Sequence, residues 1–406
     1  MFLIKINLKM KKLPLVFIFA VVFFIVAACG SGTQSKNENH TENDSIASDV
    51  VEISFPKDET HDQIAALLSG TAINDFGDDF GESEYWDSYK QNIDTPWVRI
   101  TDTRLKHIYA WADSVVSPKI NDTALMFYPF SGPDFLHAYQ MFPNANQYIF
   151  VAMEKLGSIP NLYESNNEEL LDYLESVNYS LRDIYKRSYF ITGNMEQDLR
   201  KHHVDGVLPV FYVFLHKTGH EIYDMGYFEL DANGEFIEIE QPTNTLEKTE
   251  CIRFWIRKDG DNKIKTLTYF YADISDSGFD KNPVFKKYLD SIRECNTFIK
   301  SASYLSHYGT FSKIRDLVLN KSNAVLEDDT GIPFRYFEPE HWTANLFGVY
   351  VKPIADFPST YLYQKDLSYA YDTTDVGKLP FSLGYHWRTG KQNWMLYVKM
   401  NEETQE

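Results

Sequence analysis

The sequence has few cysteines, a deficit of basic residues and no recognisable catalytic motif. Its 406 residues include only three cysteines, and 39 lysines and arginines stand against 58 aspartates and glutamates. No P-loop, dinucleotide-binding glycine motif, kinase signature or C-x-x-C pair occurs in it. The acidic excess argues against nucleic-acid binding and against a polybasic membrane contact, because such a surface repels phosphate groups. The sequence therefore excludes several large functional classes without specifying one.

Residues 1–28 have the features of a lipoprotein signal peptide. Four lysines precede an apolar run over residues 13–25, and small residues come directly before Cys29. This order resembles the lipobox of bacterial lipoproteins, in which the chain is cut before the cysteine and the thiol is diacylated. The resemblance implies a cell-envelope protein attached to the membrane by lipid on Cys29. Gly30, in place of the aspartate that retains lipoproteins at the inner membrane, favours the outer membrane. An uncleaved anchor helix is the alternative, although the run is short for a span of roughly 20 residues.

Composition divides the rest of the chain into a tether and a folded part. Residues 29–50 are polar and predict a flexible tether. Residues 51–118 predict a helical cap, and residues 119–406 predict an α/β body with a mixed sheet, flanking helices and a central antiparallel meander. The same order of elements occurs twice in the chain: a strand, an SGPD or SGFD segment, a helix, a second strand and a second helix. Two explanations of this repeat are open. The chain is an internal duplication with lobes 119–245 and 250–406, or the alternation of helices and strands produces the same order without duplication.

Two segments of the body are harder to assign from the sequence. Residues 207–216 suit a buried strand by composition, whereas a proline near their start and a glycine after their end suit a helix. Residues 381–387 and 394–400 predict a C-terminal hairpin around a Thr-Gly turn.

Two cysteines remain if Cys29 carries lipid. Cys251 and Cys295 would be an even pair in an oxidising compartment, which is consistent with a disulfide. Two separately buried thiols are equally consistent, because a sequence does not show whether two Cβ atoms meet.

Three polar loops follow predicted strands and are the candidate functional elements. If those strands are parallel neighbours, their loops meet at the carboxyl edge of the sheet, where ligands bind in α/β proteins. The candidate ligand-binding residues of this cleft are Ser131, Asp134, Ser303, His307, Asp328 and Asp329.

Each loop also has a purely structural interpretation. Ser131 and Asp134 fit the N-cap and the reciprocal position of a capping box. The Asp328-Asp329 segment fits a plain turn, and His307 fits a solvated loop. A catalytic interpretation would use Ser131, His307 and Asp328 as a hydrolase site, but the G-x-S-x-G motif is absent.

The histidine-containing segments do not predict a metal centre. His216 and His220 lack the H-E-x-x-H order, and Gly219 would end the helix needed to align both imidazoles. We therefore expect neither a metal nor another cofactor.

The segments YPFSGPDF, SASYLSH and DDTGIPFRYF, taken together, resemble a family of bacterial secreted proteins and lipoproteins. The resemblance extends roughly from Tyr85 to the C-terminus. It implies an extracytoplasmic location, and it transfers no activity and no catalytic residues.

These features favour a lipid-anchored, non-enzymatic binding or interaction module whose partner is a glycan, a peptide or an envelope protein. A metal-independent hydrolase and an envelope scaffold are the alternatives. An exposed aromatic platform would favour glycan binding. His307 within reach of Ser131 or an aspartate would favour hydrolysis, and buried, capped loops would favour a scaffold.

Overall fold

The computed structural model describes residues 56–71, 78–162, 164–190, 204–354, 357, 362–387 and 390–400. The predicted signal peptide and tether lie outside these residues, as do two adjacent histidines, His202 and His203, whose position in the sequence fits the end of a helix. The chain from Val50 to Glu406 forms one compact unit. Within the described residues, no helix combines the length and the apolar character that crossing a bilayer requires.

A mixed sheet of ten strands lies at the centre of the unit. Its strand order is β4-β3-β5-β6-β2-β1-β7-β8-β10-β9. The strands are β1 (Leu125–Pro129), β2 (Gln147–Ala152), β3 (His220–Leu230), β4 (Phe236–Ile239), β5 (Glu250–Lys258), β6 (Ile264–Tyr271), β7 (Cys295–Ile299), β8 (Ser322–Glu327), β9 (Trp342–Gly348) and β10 (Asn393–Lys399). The five central strands from β6 to β8 run parallel, and antiparallel strands extend the sheet on both sides. The predicted mixed α/β class is confirmed.

Helices cover both faces of this sheet. They are α1 (Glu59–Leu68), α2 (Asp78–Gly81), α3 (Glu84–Ile100), α4 (Lys106–Trp111), α5 (Phe135–Met141), α6 (Asn167–Arg187), α7 (Leu208–Lys217), α8 (Asp276–Lys281), α9 (Pro283–Ser291), α10 (Ser312–Lys321) and α11 (Lys365–Thr373). Two π-helical turns, Thr101–Leu105 and Ala112–Val116, flank α4 and join it to its neighbours. The longest helix of this set, α6, begins at a capping box formed by Asn166 and Glu169, as its sequence pattern requires.

The chain reverses its winding direction between β1 and β7. Helix α5 leads from β1 to β2 on one face, where Phe135 packs against Phe150 of β2 at 6.5 Å between ring centroids. Helix α10 leads from β7 to β8 on the other face, where Leu317 is buried. Adjacent parallel strands whose connections leave in opposite directions open a crevice at their carboxyl ends, the usual ligand position in such sheets.

Several local predictions need correction. Asp134, not Ser131, is the N-cap of α5, since its Oδ1 accepts from the backbone N–H of His137 at 3.2 Å. The ambiguous segment is helix α7, and every residue from Leu208 to Leu215 is buried. Complete burial removes the amphipathic period that identifies a helix, so composition alone was misleading here.

The predicted C-terminal hairpin is wrong. Strand β10 pairs with β8 on one edge and with β9 on the other, which leaves no edge for residues 381–387. That segment instead packs on the N-terminal helices, where the rings of Phe381 and Trp111 lie 5.4 Å apart. The candidate lobes 119–245 and 250–406 meet within the single sheet through the pairing of β2 with β6.

The disulfide alternative is also wrong. Cys251 in β5 and Cys295 in β7 are free, buried thiols. Strands β6, β2 and β1 lie between them, a separation of about 19 Å at the usual spacing of neighbouring strands. Burial raises the pKa of both thiols, which keeps them protonated and unreactive.

We predict that both thiols resist alkylation in the folded protein and react fully after denaturation. In a chain with Cys29→Ser, a thiol-titrating reagent should detect no fast-reacting group under native conditions and both cysteines in denaturant without a reductant. The exposed position of Ser277 supplies the control, since Ser277→Cys should add one fast-reacting thiol. Recovery of the denatured thiols only after reduction would contradict the assignment.

Candidate functional site

A cavity of about 530 Å³ lies at the carboxyl edge of the parallel strands. Its walls come from segments that directly follow four neighbouring strands: residues 130–134 after β1, 152–154 at the end of β2, 272–274 after β6 and 300–305 after β7. Further lining residues are Arg187, Tyr189, Phe190, Phe311, Phe357 and Tyr385. The cavity therefore occupies the crevice that the reversal of winding opens.

A buried ion pair bridges β1 and β7 at the bottom of this cavity. Nζ of Lys300 lies 2.6 Å from Oδ2 of Asp134, and both side chains are almost fully buried. Oδ1 of Asp134 accepts from Nδ1 of His137 at 2.8 Å, and the Tyr128 hydroxyl donates to its Oδ2 at 3.3 Å. Lys300 also donates to the carbonyl of Ser188, the left-handed C-cap residue of α6. The pair thus ties two strand ends and one helix end together.

Burial and neighbouring charges shift the pKa values of Asp134, His137 and Lys300. Burial alone would raise the pKa of Asp134, but His137 and Lys300 outweigh it and lower that pKa. Burial lowers the pKa of His137 to about 4, against the attraction of Asp134. Burial also lowers the pKa of Lys300, and Asp134 opposes this shift. Nζ of Lys300 contacts both Oδ2 of Asp134 and the Ser188 carbonyl, which is the geometry of an ammonium beside a carboxylate at the floor of the cavity.

Aromatic rings form the upper walls. Tyr385 lies 4.6 Å from Tyr189 with an interplanar angle of 72°, and 5.5 Å from Phe357 with an angle of 52°. Phe130 and Phe311 meet at 5.8 Å and 66° across the same cavity. These rings give the upper part of the cavity an apolar, aromatic wall.

The loops that line the cavity adopt left-handed backbone conformations at non-glycine residues. The φ angles are 61° at Phe130, 54° at Ser301, 53° at Ser303 and 58° at Tyr304. Each such residue costs on the order of 1–3 kcal/mol, and such strain concentrates at functional sites. Strained loops persist only when their surroundings hold them.

The DDTG loop after β8 supplies that support. Oδ2 of Asp328 accepts from the Ser301 N–H at 3.0 Å, and Thr330 Oγ1 accepts from the N–H of Ala302 at 2.8 Å. Oδ2 of Asp329 accepts from the hydroxyl of Tyr304 at 2.8 Å. The carboxylates of this loop therefore fix the backbone after β7, one layer behind the cavity wall.

The six residues predicted from the sequence fall into two groups. Ser131, Asp134 and Ser303 line the cavity, whereas His307, Asp328 and Asp329 lie outside its lining. The His307 ring bonds to the backbone of Asp329, and burial lowers its pKa to about 4.

The catalytic alternative required Ser131, His307 and Asp328 to act together. These three residues are all described, and no hydrogen bond joins any two of them. The Ser131 hydroxyl instead donates to the carbonyl of Val151 at 3.4 Å. The arrangement lacks the contacts through which a base activates a serine.

Sequence reasoning missed Lys300, Glu154 and Asp273, although the rule that found Ser131 would have found them. Each is the first or second residue after a parallel strand. Tyr385 and Phe357 carry no such signal, because they reach the cavity from distant parts of the chain.

Neither a metal-binding cluster nor similarity to a known protein identifies the function of the cavity. Within the described ranges, no three His, Cys, Asp or Glu side chains come together as a possible metal site. No family model matches the sequence, and no curated protein and no solved structure is significantly similar to it. The site's own geometry therefore carries the functional argument.

We predict strong coupling between Asp134 and Lys300. Lys300→Met or Asp134→Asn alone should lower the free energy of unfolding by about 3–5 kcal/mol, because each leaves a buried charge without its partner. The double variant should lose far less than the sum. Chemical denaturation at pH 7 measures all three variants.

The exposed pair Lys286 and Asp290, 2.7 Å apart on α9, is the matched control. The same substitutions there should couple by less than about 0.5 kcal/mol. Additive losses at Asp134 and Lys300 would contradict the structural role of the buried pair.

A second prediction concerns Asp328. Burial, together with the charge of Asp329, raises its pKa to about 6, against hydrogen bonds from Thr330 and Ser301. Folding therefore favours the protonated acid, and the stability it contributes is lost as pH rises from about 4 through 6. Asp328→Asn does not titrate. The free energy of unfolding of this variant, measured relative to that of the unmodified protein, should therefore rise by on the order of 2–3 kcal/mol between pH 4 and pH 8. Chemical denaturation at several pH values measures both proteins. A difference in the free energy of unfolding that stays constant over this range would contradict the raised pKa of Asp328.

Proposed function

We propose that this protein is a binding module that holds a small, largely apolar ligand in the cavity at the β1/β7 crevice. The observation that carries the proposal is the cavity itself: about 530 Å³, walled by aromatic rings and closed below by a satisfied ion pair. Pockets of this size, mostly apolar with a few fixed polar groups, are the usual form of a small-molecule site.

The strained loops support binding over a purely structural role. Phe130, Ser301 and Ser303 hold unfavourable backbone angles beside the cavity, and buried carboxylates behind it keep them in place. A scaffold gains nothing from such strain, whereas a binding site gains a preorganised wall.

Binding also fits the contacts better than hydrolysis does. The hydroxyl of Ser303 pairs with that of Tyr385 at 2.8 Å, and Ser131 pairs with a backbone carbonyl. Among the residues that the structure describes, no histidine contacts either serine as a general base. The polar groups of the cavity orient a ligand rather than attack it.

The proposal includes the location predicted from the sequence. Lipid on Cys29 attaches the protein to the cell envelope, at the outer membrane, and residues 29–50 tether the binding unit. The cavity then samples small molecules near the membrane. Glycan, peptide and protein partners remain alternatives that a binding screen separates from small apolar compounds.

The test blocks the cavity mouth in the purified protein. Met153 lines the cavity and is 49% exposed, so Met153→Trp should narrow the opening without entering the core. We predict that the neutral solvatochromic dye Nile red binds the unmodified protein with 1:1 stoichiometry. The variant should bind it at least about tenfold more weakly, a change of ~1.4 kcal/mol.

Ile237 provides the matched control, because it is 48% exposed and lies on the edge strand β4, away from the cavity lining. Ile237→Trp should leave dye affinity unchanged, and both variants should melt near the unmodified protein. Equal dye binding by Met153→Trp and the unmodified protein, or no dye binding at all, would overturn the proposed site.

A further inference from the structure

Two hydroxyl groups of the cavity lining are less deeply buried than the hydroxyl of Ser131. The Ser131 hydroxyl is buried in its hydrogen bond to the Val151 carbonyl. The hydroxyls of Ser303 and Tyr385 are 2.8 Å apart, and the hydrogen bond between them is only partly buried. Both residues line the cavity and are themselves partly exposed. A bonded pair of this kind in the cavity wall is open to a ligand.

This hydroxyl pair has one more proton than its mutual hydrogen bond uses. Each hydroxyl can donate one proton and can accept on its lone pairs, so a bond between two hydroxyls uses one proton of two. Among the described residues, none accepts the second proton of Ser303 and Tyr385. Burial raises the pKa of Tyr385, so its hydroxyl stays protonated at neutral pH. The pair is therefore a hydrogen-bond donor with a proton to give.

Aromatic rings lie directly beside this donor. The Tyr385 ring, which carries one of the two hydroxyls, has its centroid 4.6 Å from that of Tyr189 and 5.5 Å from that of Phe357. All three residues line the cavity. Aromatic faces and edges pack favourably against an apolar or aromatic ligand body. A ligand that packs on these rings has its edge within the neighbourhood of the donor.

A nearby negative charge limits the kind of acceptor that suits this donor. The charge of Asp328 adds to the effect of burial in raising the pKa of Tyr385. Burial raises the pKa of Asp328 itself to about 6, so its carboxylate is largely ionised at pH 7. An anionic oxygen placed at the Tyr385 hydroxyl would be repelled by that charge, whereas an uncharged carbonyl oxygen would not.

We infer that the ligand carries an uncharged hydrogen-bond acceptor, such as the carbonyl of a ketone, ester or amide, on an aromatic or apolar body. The acceptor oxygen binds the hydroxyl pair of Ser303 and Tyr385, and the body packs against the neighbouring rings. The inference rests on the proposed binding function and specifies its ligand class. A ligand without an acceptor would leave the donor without a partner, which costs affinity.

The test uses three probes that share a naphthalene body. 2-Acetylnaphthalene carries a ketone, 2-isopropenylnaphthalene has a CH₂ group in place of the ketone oxygen, and naphthalene-2-carboxylate has an anionic oxygen in place of the methyl group. Each probe is titrated against Nile red bound to the purified protein. The Kd of the dye is measured separately in every variant and converts each displacement curve into the Kd of the probe.

Ser303→Ala combined with Tyr385→Phe removes both hydroxyls, because either one left alone would still be a donor. We predict that this double variant binds the ketone about fivefold more weakly, a change of ~1 kcal/mol, and the alkene with less than about a twofold change. An unchanged alkene affinity also shows that the cavity is intact. In the unmodified protein, the carboxylate should bind at least about fivefold more weakly than the ketone.

Ser277→Ala combined with Tyr369→Phe is the matched control. It removes the same atoms from two exposed residues outside the cavity lining, and it should change the affinity of neither the ketone nor the alkene.

The outcomes separate the inference from the proposed function. Equal effects of the cavity double variant on ketone and alkene would show that the hydroxyl pair bonds to water instead, and would overturn the inference. Tighter binding of the carboxylate than of the ketone, or failure of the ketone to displace the dye, would also overturn it. Each of these results leaves Nile red binding, and thus the binding function, intact. Absence of dye binding, with no effect of Met153→Trp, would remove the binding function itself.

Discussion

The contact between Asp134 and Lys300 is the interaction on which the site depends. Two charges buried this deeply would each be unfavourable alone, and together they join the end of β1, the end of β7 and the last turn of α6. Strands β1 and β7 are parallel neighbours, and the winding of the sheet reverses between them. Asp134 is also the N-cap of α5. The start of that helix, the ends of β1 and β7 and the floor of the cavity therefore all depend on the same ion pair.

The cavity combines this rigid floor with strained walls. Carboxylates of the DDTG loop lie behind the wall and hold the left-handed residues after β7 in place, while aromatic rings from distant segments close the top. The loops after β1 and β7 thus line the cavity, whereas the loop after β8 supports them from behind. Residues such as Asp328 and Asp329 have the composition of a binding motif, yet their hydrogen-bond partners give them a structural task.

Much of the fold could be predicted because periodicity and turn residues are local properties. Alternating strands and helices after residue 119 predict a mixed sheet, and the structure has one. Prediction stayed ambiguous, or was wrong, where tertiary packing decides. Helix α7 is buried on all sides and loses its amphipathic pattern. Strand β10 takes its partners from β8 and β9, although a nearer segment has hairpin-like spacing.

The sequence by itself determined that polar loops follow several strands and that the surface is acidic, and it predicts the lipid attachment at Cys29. Only the tertiary structure decided which of those loops meet. Strand order is a long-range property. It brings Lys300 to Asp134 across 166 positions of the chain, separates Cys251 from Cys295, and leaves Asp328 outside the cavity lining. The sequence gives the chemical groups of each side chain directly. Which of these groups meet depends on contacts between distant residues, and only the tertiary structure creates those contacts.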